Sequence, residues 1–234
     1  MVYYLGLSLL SNKHDSPRKA ERRELLSAEA RRILSQLEGR PLAEDDIAAD
    51  AAGRPFFPNR DTDFSISHSG ALAAVSLARG KNPRTGCDVE LVRSRAGAPA
   101  IAEEFFTAPE REYIESGGRF DETRFYQIWT LKECFLKLRG FSVFDMAGAP
   151  SFIINKNQPR STTGFWYENQ LSLRVTPCNS VVNIHLYEFT GNAGERYILA
   201  VALEGTEMEQ PEIRWFSQEV LDCRCIAKIG KIRD

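Results

Sequence analysis

The chain is 234 residues long, enough for one large domain or two small ones, with 43% hydrophobic and 26% charged residues, as in an ordinary globular protein. A net charge of −2 argues against a general nucleic-acid binder, and no apolar run approaches the roughly 18 residues a membrane helix needs. Five cysteines, an odd number without framework spacing, point to a reducing compartment, so the expectation is a cytoplasmic protein with neither nucleic acid nor membrane as partner.

In chain order, Met1 to Leu10 lacks a basic leader and a cleavage site and reads as a strand. Lys13 to Arg40 is helix-prone and locally basic, with Ser16-Pro17 as a helix start. Lys19 and Arg22 fall three apart on one helical face, where they could hold an anion or simply be solvated beside Glu21 and Glu24. Ser27 opens a second predicted helix that ends at Gly39-Arg40-Pro41, and Gly53-Arg54-Pro55 signals a turn.

Asp63 to Ser67 alternates polar and apolar residues, which predicts a half-buried strand, with His68-Ser69-Gly70 as the turn into a small-residue strand from Ala71 to Ala78. Hydroxyls, backbone N–H groups and an imidazole at such a tip suit an oxyanion, although turns favour Ser and Gly in any case. Thr85 to Leu91 is the next strand. There Asp88 and Glu90 project together while Cys87, Val89 and Leu91 face the core. Adjacent carboxylates repel unless a cation lies between them, and carboxylate oxygens suit Mg²⁺ or Mn²⁺ better than zinc. The pattern is also common on exposed strands.

Arg93 to Ala98 reads as loop, Ile101 to Phe106 as helix, and Thr107 caps a further helix with Pro109 close behind. Trp129 to Leu138 lacks Gly and Pro and stops at Arg139-Gly140, a helix end. Leu131, Cys134, Phe135 and Leu138 share one side, with Trp129 and Leu136 nearly opposite. The narrow polar strip of Thr130, Glu133 and Lys137 therefore needs partners in a buried helix. Glu133 and Lys137 could pair with each other, four residues apart. With Glu133 as a third carboxylate beside Asp88 and Glu90, a metal becomes the more economical account. The rest predicts strands at 151–155, 170–175, 183–189 and 196–203 in an antiparallel sheet. His185 alternates with Ile184 and Leu186 and is expected to face solvent. Trp166 and Trp215 read as packing residues, Cys223 and Cys225 as incidental thiols.

Gly53-Arg54-Pro55, Phe64 to Ser69, Gly86-Cys87-Asp88-Val89-Glu90, Phe105-Phe106 and Trp129 to Lys137 occur in that order. Together they closely resemble the 4'-phosphopantetheinyl transferases of the surfactin-synthetase-activating type, over residues 1–222 and most strongly over 53–140. The resemblance implies an α+β fold of two similar lobes with pseudo-twofold symmetry, each an antiparallel sheet packed with helices. The lobes would comprise residues 1–84 and 85–222, followed by a tail, 223–234, of unknown role. A monomer is expected, with coenzyme A in the cleft between lobes.

The resemblance further implies that Asp88, Glu90 and Glu133 hold Mg²⁺ or Mn²⁺ on the coenzyme A pyrophosphate. Lys137 would contact the same pyrophosphate, Arg54 the nucleotide phosphate, and Ser67 and His68 the 3'-phosphate. Lys19, Arg22 and Arg31 match the N-terminal basic positions. The implied reaction moves the phosphopantetheine arm to a serine of an apo acyl or peptidyl carrier protein, with Glu133 taking the serine proton, and releases 3',5'-adenosine bisphosphate. Phe105 to Tyr126, with aromatics expected to be exposed near the cleft, is the candidate carrier contact, although the same aromatics could be core. Rival readings are a Mg²⁺-dependent nucleotide or pyrophosphate hydrolase and a non-catalytic binding module for coenzyme A or a carrier protein. The shorter homotrimeric holo-acyl-carrier-protein synthase type is disfavoured by length.

Overall fold

A computed structural model of the chain describes residues 2–10, 19–51, 53–58, 61–152, 154, 170–171, 182–191, 194–204, 211–216 and 222–232. The strands are β1 (Val2–Leu9), β2 (Ala48–Ala49), β3 (Pro55–Phe56), β4 (Thr62–Ser69), β5 (Leu72–Arg79), β6 (Arg84–Leu91), β7 (Gln170–Leu171), β8 (Val182–Thr190), β9 (Arg196–Glu204), β10 (Glu212–Trp215) and β11 (Asp222–Ile232). The helices are α1 (Lys19–Glu38), α2 (Ala98–Phe105), α3 (Ala108–Glu115) and α4 (Glu122–Arg139). No helix among the described residues is long and apolar enough to cross a membrane.

Two sheets form, ordered β10-β1-β5-β4 and β6-β9-β8-β11-β7, with β2 and β3 as a separate small hairpin. Most pairings are antiparallel, whereas β10 runs parallel to β1 and β11 parallel to β7. The chain thus returns to its first sheet after building most of its second, and residues 222–232, which include most of the stretch read from sequence as a tail (223–234), are a strand beside β8.

Strand alternation explains the layering. On β5, Ala73, Val75 and Leu77 pack with Leu26, Ala30, Ile33 and Leu34 of α1, while Leu72, Ala74 and Ala78 join Cys87, Val89, Leu199 and Val201 from the second sheet. On β9, Ile198, Ala200 and Ala202 turn the other way, against Leu131, Cys134 and Leu138 of α4. The order is therefore helix, sheet, sheet, helix, an α+β fold in which each sheet carries a long helix on its outer face.

Residues 19–38 form one continuous helix, not two. No Gly or Pro interrupts it, and Ser27 sits exposed on its surface, where it caps nothing. β4 runs on through His68 and Ser69, so the turn is confined to Gly70-Ala71 and the Ser-His-Ser run ends a strand. His185 is fully buried, contrary to the alternation-based expectation. β8 is an interior strand, and the face it shares with Tyr187 and Phe189 is covered by the first sheet. Ser16-Pro17, Trp166 and residues 172–175 lie outside the described residues, as do the side chains of Lys19, Trp215, Cys223 and Cys225.

Candidate active site

The first sheet ends at β4 and the second at β6, and these edges run alongside one another. Strand edges carry unpaired N–H groups that need partners. Alternate N–H groups of β6 find them in β4 side chains at a constant offset of 22 residues. Thr85 N–H donates to Asp63 Oδ2 at 2.8 Å, Val89 N–H to Ser67 Oγ at 3.2 Å, and Leu91 N–H to Ser69 Oγ at 3.0 Å. At the intervening rung, Cys87 Sγ donates to the Ser65 carbonyl at 3.2 Å. Small polar side chains every second residue thus act as spacers between the sheets.

The same serines hold the acidic pair. Ser67 Oγ donates to Asp88 Oδ1 at 2.8 Å, and Ser69 Oγ to Glu90 Oε2 at 2.8 Å. Asp88 and Glu90 share a face with Gly86, over which α4 passes at backbone contact. A Cβ on Gly86 would lie 2.4 Å from the Cys134 carbonyl oxygen and 2.7 Å from the Leu138 nitrogen. That missing side chain lets α4 settle onto β6 with Glu133 and Lys137 beside the acidic pair. Lys137 Nζ lies 2.7 Å from Asp88 Oδ1 and 3.1 Å from Ser67 Oγ.

Electrostatics follow from this crowding. Burial, then the Asp88 carboxylate, push Glu133 up to about 7, with Lys137 opposing and Glu90 adding to the rise. Glu90 is also raised, first by burial and then by Asp88, while Ser69 opposes. Burial is the largest influence on the Lys137 ammonium and works against it, yet Asp88, Cys87 and Glu133 together outweigh it and its pKa rises. His68 is lowered, first by burial and then by the positive charges of Lys137 and Arg23, which favours neutral imidazole at pH 7.

The donors fit a hard divalent cation in kind, being carboxylates with oxygens to spare. Asp88 Oδ2 is buried and without a hydrogen-bond partner, an acceptor that a cation would satisfy. As placed, no three acidic, histidine or cysteine side chains among the described residues converge at metal-binding distance, and Lys137 neutralises Asp88 instead.

Comparison with known proteins bears on this geometry. A model of the 4'-phosphopantetheinyl transferase superfamily matches residues 84–202, just over half of the chain. The chain belongs to that superfamily. The 4'-phosphopantetheinyl transferase AcpT of Salmonella typhimurium (strain LT2) is 31% identical over 121 residues, covering 51% of this chain and 59% of that protein. The 4'-phosphopantetheinyl transferases gsp of Aneurinibacillus migulanus and psf-1 of Bacillus pumilus are each 30% identical, over 110 and 114 residues, covering 43% and 46% of those proteins. The matches thus span about half the length of these curated relatives. The superfamily segment contains Asp88, Glu90, Glu133 and Lys137, while α1, Arg54, Ser67 and His68 precede it.

Those earlier positions divide. Arg22 and Arg23 of α1 come within electrostatic reach of Tyr197 and His68 respectively. Arg23 was not singled out from sequence, although it lies four residues after Lys19 on the same helical face. Arg31 is exposed, next to buried Ala30 and therefore well around the helix from the packed face. The Ser67 hydroxyl is engaged by Asp88, Val89 and Lys137, all within the protein.

Arg54, expected at a phosphate, contacts Asp63 and the end of α4 and lines both neighbouring clefts. Its Nη2 lies 2.7 and 2.9 Å from the two Asp63 oxygens, and its Nε donates to the Lys137 carbonyl at 3.1 Å. A groove of about 220 Å³ beside it is bounded by Pro55, Phe64, Ile66, Lys137 and Phe141. A larger cleft of about 640 Å³, between Asp50, Phe56 and Arg84, is lined by none of the three site carboxylates.

The candidate carrier contact is corrected in part. Phe106, Phe125 and Tyr126 are buried, and Phe105, Tyr113 and Phe120 pack against them, because α2 and α3 fold back onto α4. Glu110 and Lys132, which sequence reading passed over, form a fully buried ion pair at 3.2 Å. The visible signal was a Lys inside a helix apolar on two sides.

Proposed function

We propose that the protein transfers the 4'-phosphopantetheine arm of coenzyme A to a serine of an apo acyl or peptidyl carrier protein, dependent on Mg²⁺ or Mn²⁺. The observation that carries this reading is the meeting of Asp88 and Glu90 on β6 with Glu133 and Lys137 on α4, all within the superfamily segment.

The serine oxygen bonds to the β-phosphorus of coenzyme A. The bond from that phosphorus to the oxygen bridging the two phosphates breaks, its electron pair leaves with 3',5'-adenosine bisphosphate, and the serine proton passes to Glu133. A serine hydroxyl needs such a base to act as a nucleophile near neutral pH. Lys137 offsets charge on the departing pyrophosphate oxygen. Asp88, Glu90 and Glu133 would hold the divalent cation, which when bound supplies further neutralisation of the pyrophosphate. His68, with Arg22 and Arg23 of α1, would face the 3'-phosphate, and Ser67 acts by holding Asp88.

Intact mass of an apo carrier protein, incubated with this protein, coenzyme A and Mg²⁺, tests the reading. The expected result is a gain of one phosphopantetheine arm, abolished by EDTA and by Glu133→Gln. No gain with either an acyl or a peptidyl carrier protein, or unchanged turnover in Glu133→Gln, overturns it. Coenzyme A consumed without carrier modification would identify a hydrolase instead.

A further inference from the structure

We propose that Tyr197 and Ser69 are positioning residues for Glu90. The Tyr197 hydroxyl fastens the β4–β5 turn to the second sheet, and Ser69, at the base of that turn, sets which Glu90 oxygen is left for a cation. The proposal rests on the transferase reading for the cation at Glu90, while the contacts themselves stand apart from it.

A tyrosine ring buried among apolar side chains still needs a partner for its hydroxyl. On β9, Tyr197 shares a face with Leu199 and Val201, packed against the first sheet and only 2% exposed. It pairs with Leu91 of β6, the residue after Glu90. Its hydroxyl reaches the turn between β4 and β5 and accepts from Ala71 N–H at 3.3 Å. The Ala71 carbonyl accepts from Leu10 N–H, just past β1, at 2.9 Å. Both backbone groups of Ala71 are thus tied, one toward each sheet. Gly70 makes the approach possible. Its φ of 61° is left-handed, and a Cβ there would lie 2.9 Å from the Tyr197 hydroxyl oxygen and 3.0 Å from Leu91 Cδ2.

The residue before Gly70 is Ser69. A serine hydroxyl has one hydrogen to donate and lone pairs to accept with. Leu91 N–H donates to Ser69 Oγ at 3.0 Å, which orients the hydroxyl, and its hydrogen goes to Glu90 Oε2 at 2.8 Å. Glu90 Oε1 is the oxygen left to face a cation. Ser67 treats Asp88 in the same way, but Asp88 is also anchored by Lys137, whereas no ion pair among the described residues holds Glu90. The carboxylate at the end of β6 therefore depends more on its serine, and that serine on a turn the second sheet holds through Tyr197.

The test compares Ser69→Ala, Tyr197→Phe and the double variant with the parent protein. Mn²⁺ binding is followed by electron paramagnetic resonance with coenzyme A present, corrected for Mn²⁺ held by coenzyme A alone. Ser69→Ala is expected to weaken Mn²⁺ binding about tenfold and Tyr197→Phe about threefold, with the double variant no worse than Ser69→Ala. KM for coenzyme A at saturating metal is expected to stay within about twofold. Tyr197→Phe keeps the ring, so it remains informative if Ser69→Ala folds poorly. Unchanged Mn²⁺ affinity in either single variant overturns the proposal, as does a lower melting temperature with metal affinity intact. Losses that simply add in the double variant also overturn it, because Tyr197 would then not act through Ser69. A parent protein that binds no Mn²⁺ removes the cation and the proposal together. One that binds Mn²⁺, loses it in both variants and transfers nothing refutes the transferase reading alone.

Discussion

Lys137 Nζ lies 2.7 Å from Asp88 Oδ1, on the neighbouring sheet, and makes its bond there and to Ser67 instead of to Glu133 one turn earlier in its own helix. A surface pair four residues apart contributes only about 0.3–0.5 kcal/mol. The contact to Asp88 is drier and ties α4 to β6. Lys137→Ala should therefore cut carrier modification by about 10²-fold or more. Stability should fall by only about 1–3 kcal/mol, the worth of a hydrogen bond to a charged group. Parallel rate and urea-unfolding measurements check both, and loss of the folded state would mark Lys137 as chiefly structural.

Glu133 gives a pH signature. Its carboxyl is raised to about 7 in the folded protein, so folding favours the protonated form. The sign follows from linkage: this contribution is fully present below the unfolded value near 4.5 and is lost as pH rises through about 7. In EDTA-containing buffer at pH 8, Glu133→Gln should be more stable than the parent by about 3 kcal/mol. The difference should vanish near pH 4. Denaturant titrations across that range decide it, and a gap independent of pH would refute the assignment.

The buried pair of Lys132 and Glu110 should behave differently. Glu110 also accepts from Thr107 N–H at 2.7 Å and Phe152 N–H at 2.8 Å, so it gathers the start of α3 and the segment after α4 around one charge. Lys132→Met leaves that carboxylate uncompensated and should cost about 3–5 kcal/mol. Adding Glu110→Gln should restore part of the loss, because it removes the stranded charge. Chemical denaturation of the two single variants and the double measures the coupling, and additive losses would argue against it.

Gly86 should tolerate no side chain. A Cβ placed 2.4 Å from the Cys134 carbonyl forces α4 away from β6, and neither backbone can yield cheaply. Gly86→Ala should cost about 1–3 kcal/mol as overpacking. It should also depress turnover beyond that loss, because it moves Glu133 and Lys137 off the acidic pair. Activity measured well below the melting temperature separates the two effects.

Much of this was legible in the linear chain. Alternation placed Cys87 and Val89 in the core with Asp88 and Glu90 opposite, and both faces of α4 are packed as its apolar periodicity requires. The motif order identified the superfamily. Period and composition report which side chains share a face, because they follow from backbone geometry alone. What covers each face depends on residues far away in sequence, and there only the tertiary structure decided. It buried His185 beneath the first sheet, drew the aromatics of α2 and α3 into the core, and gave Lys137 to Asp88. It also set Arg54 against Asp63 at 2.7 Å and the Lys137 carbonyl at 3.1 Å, a contact its turn motif does not foretell because Lys137 lies 83 residues away.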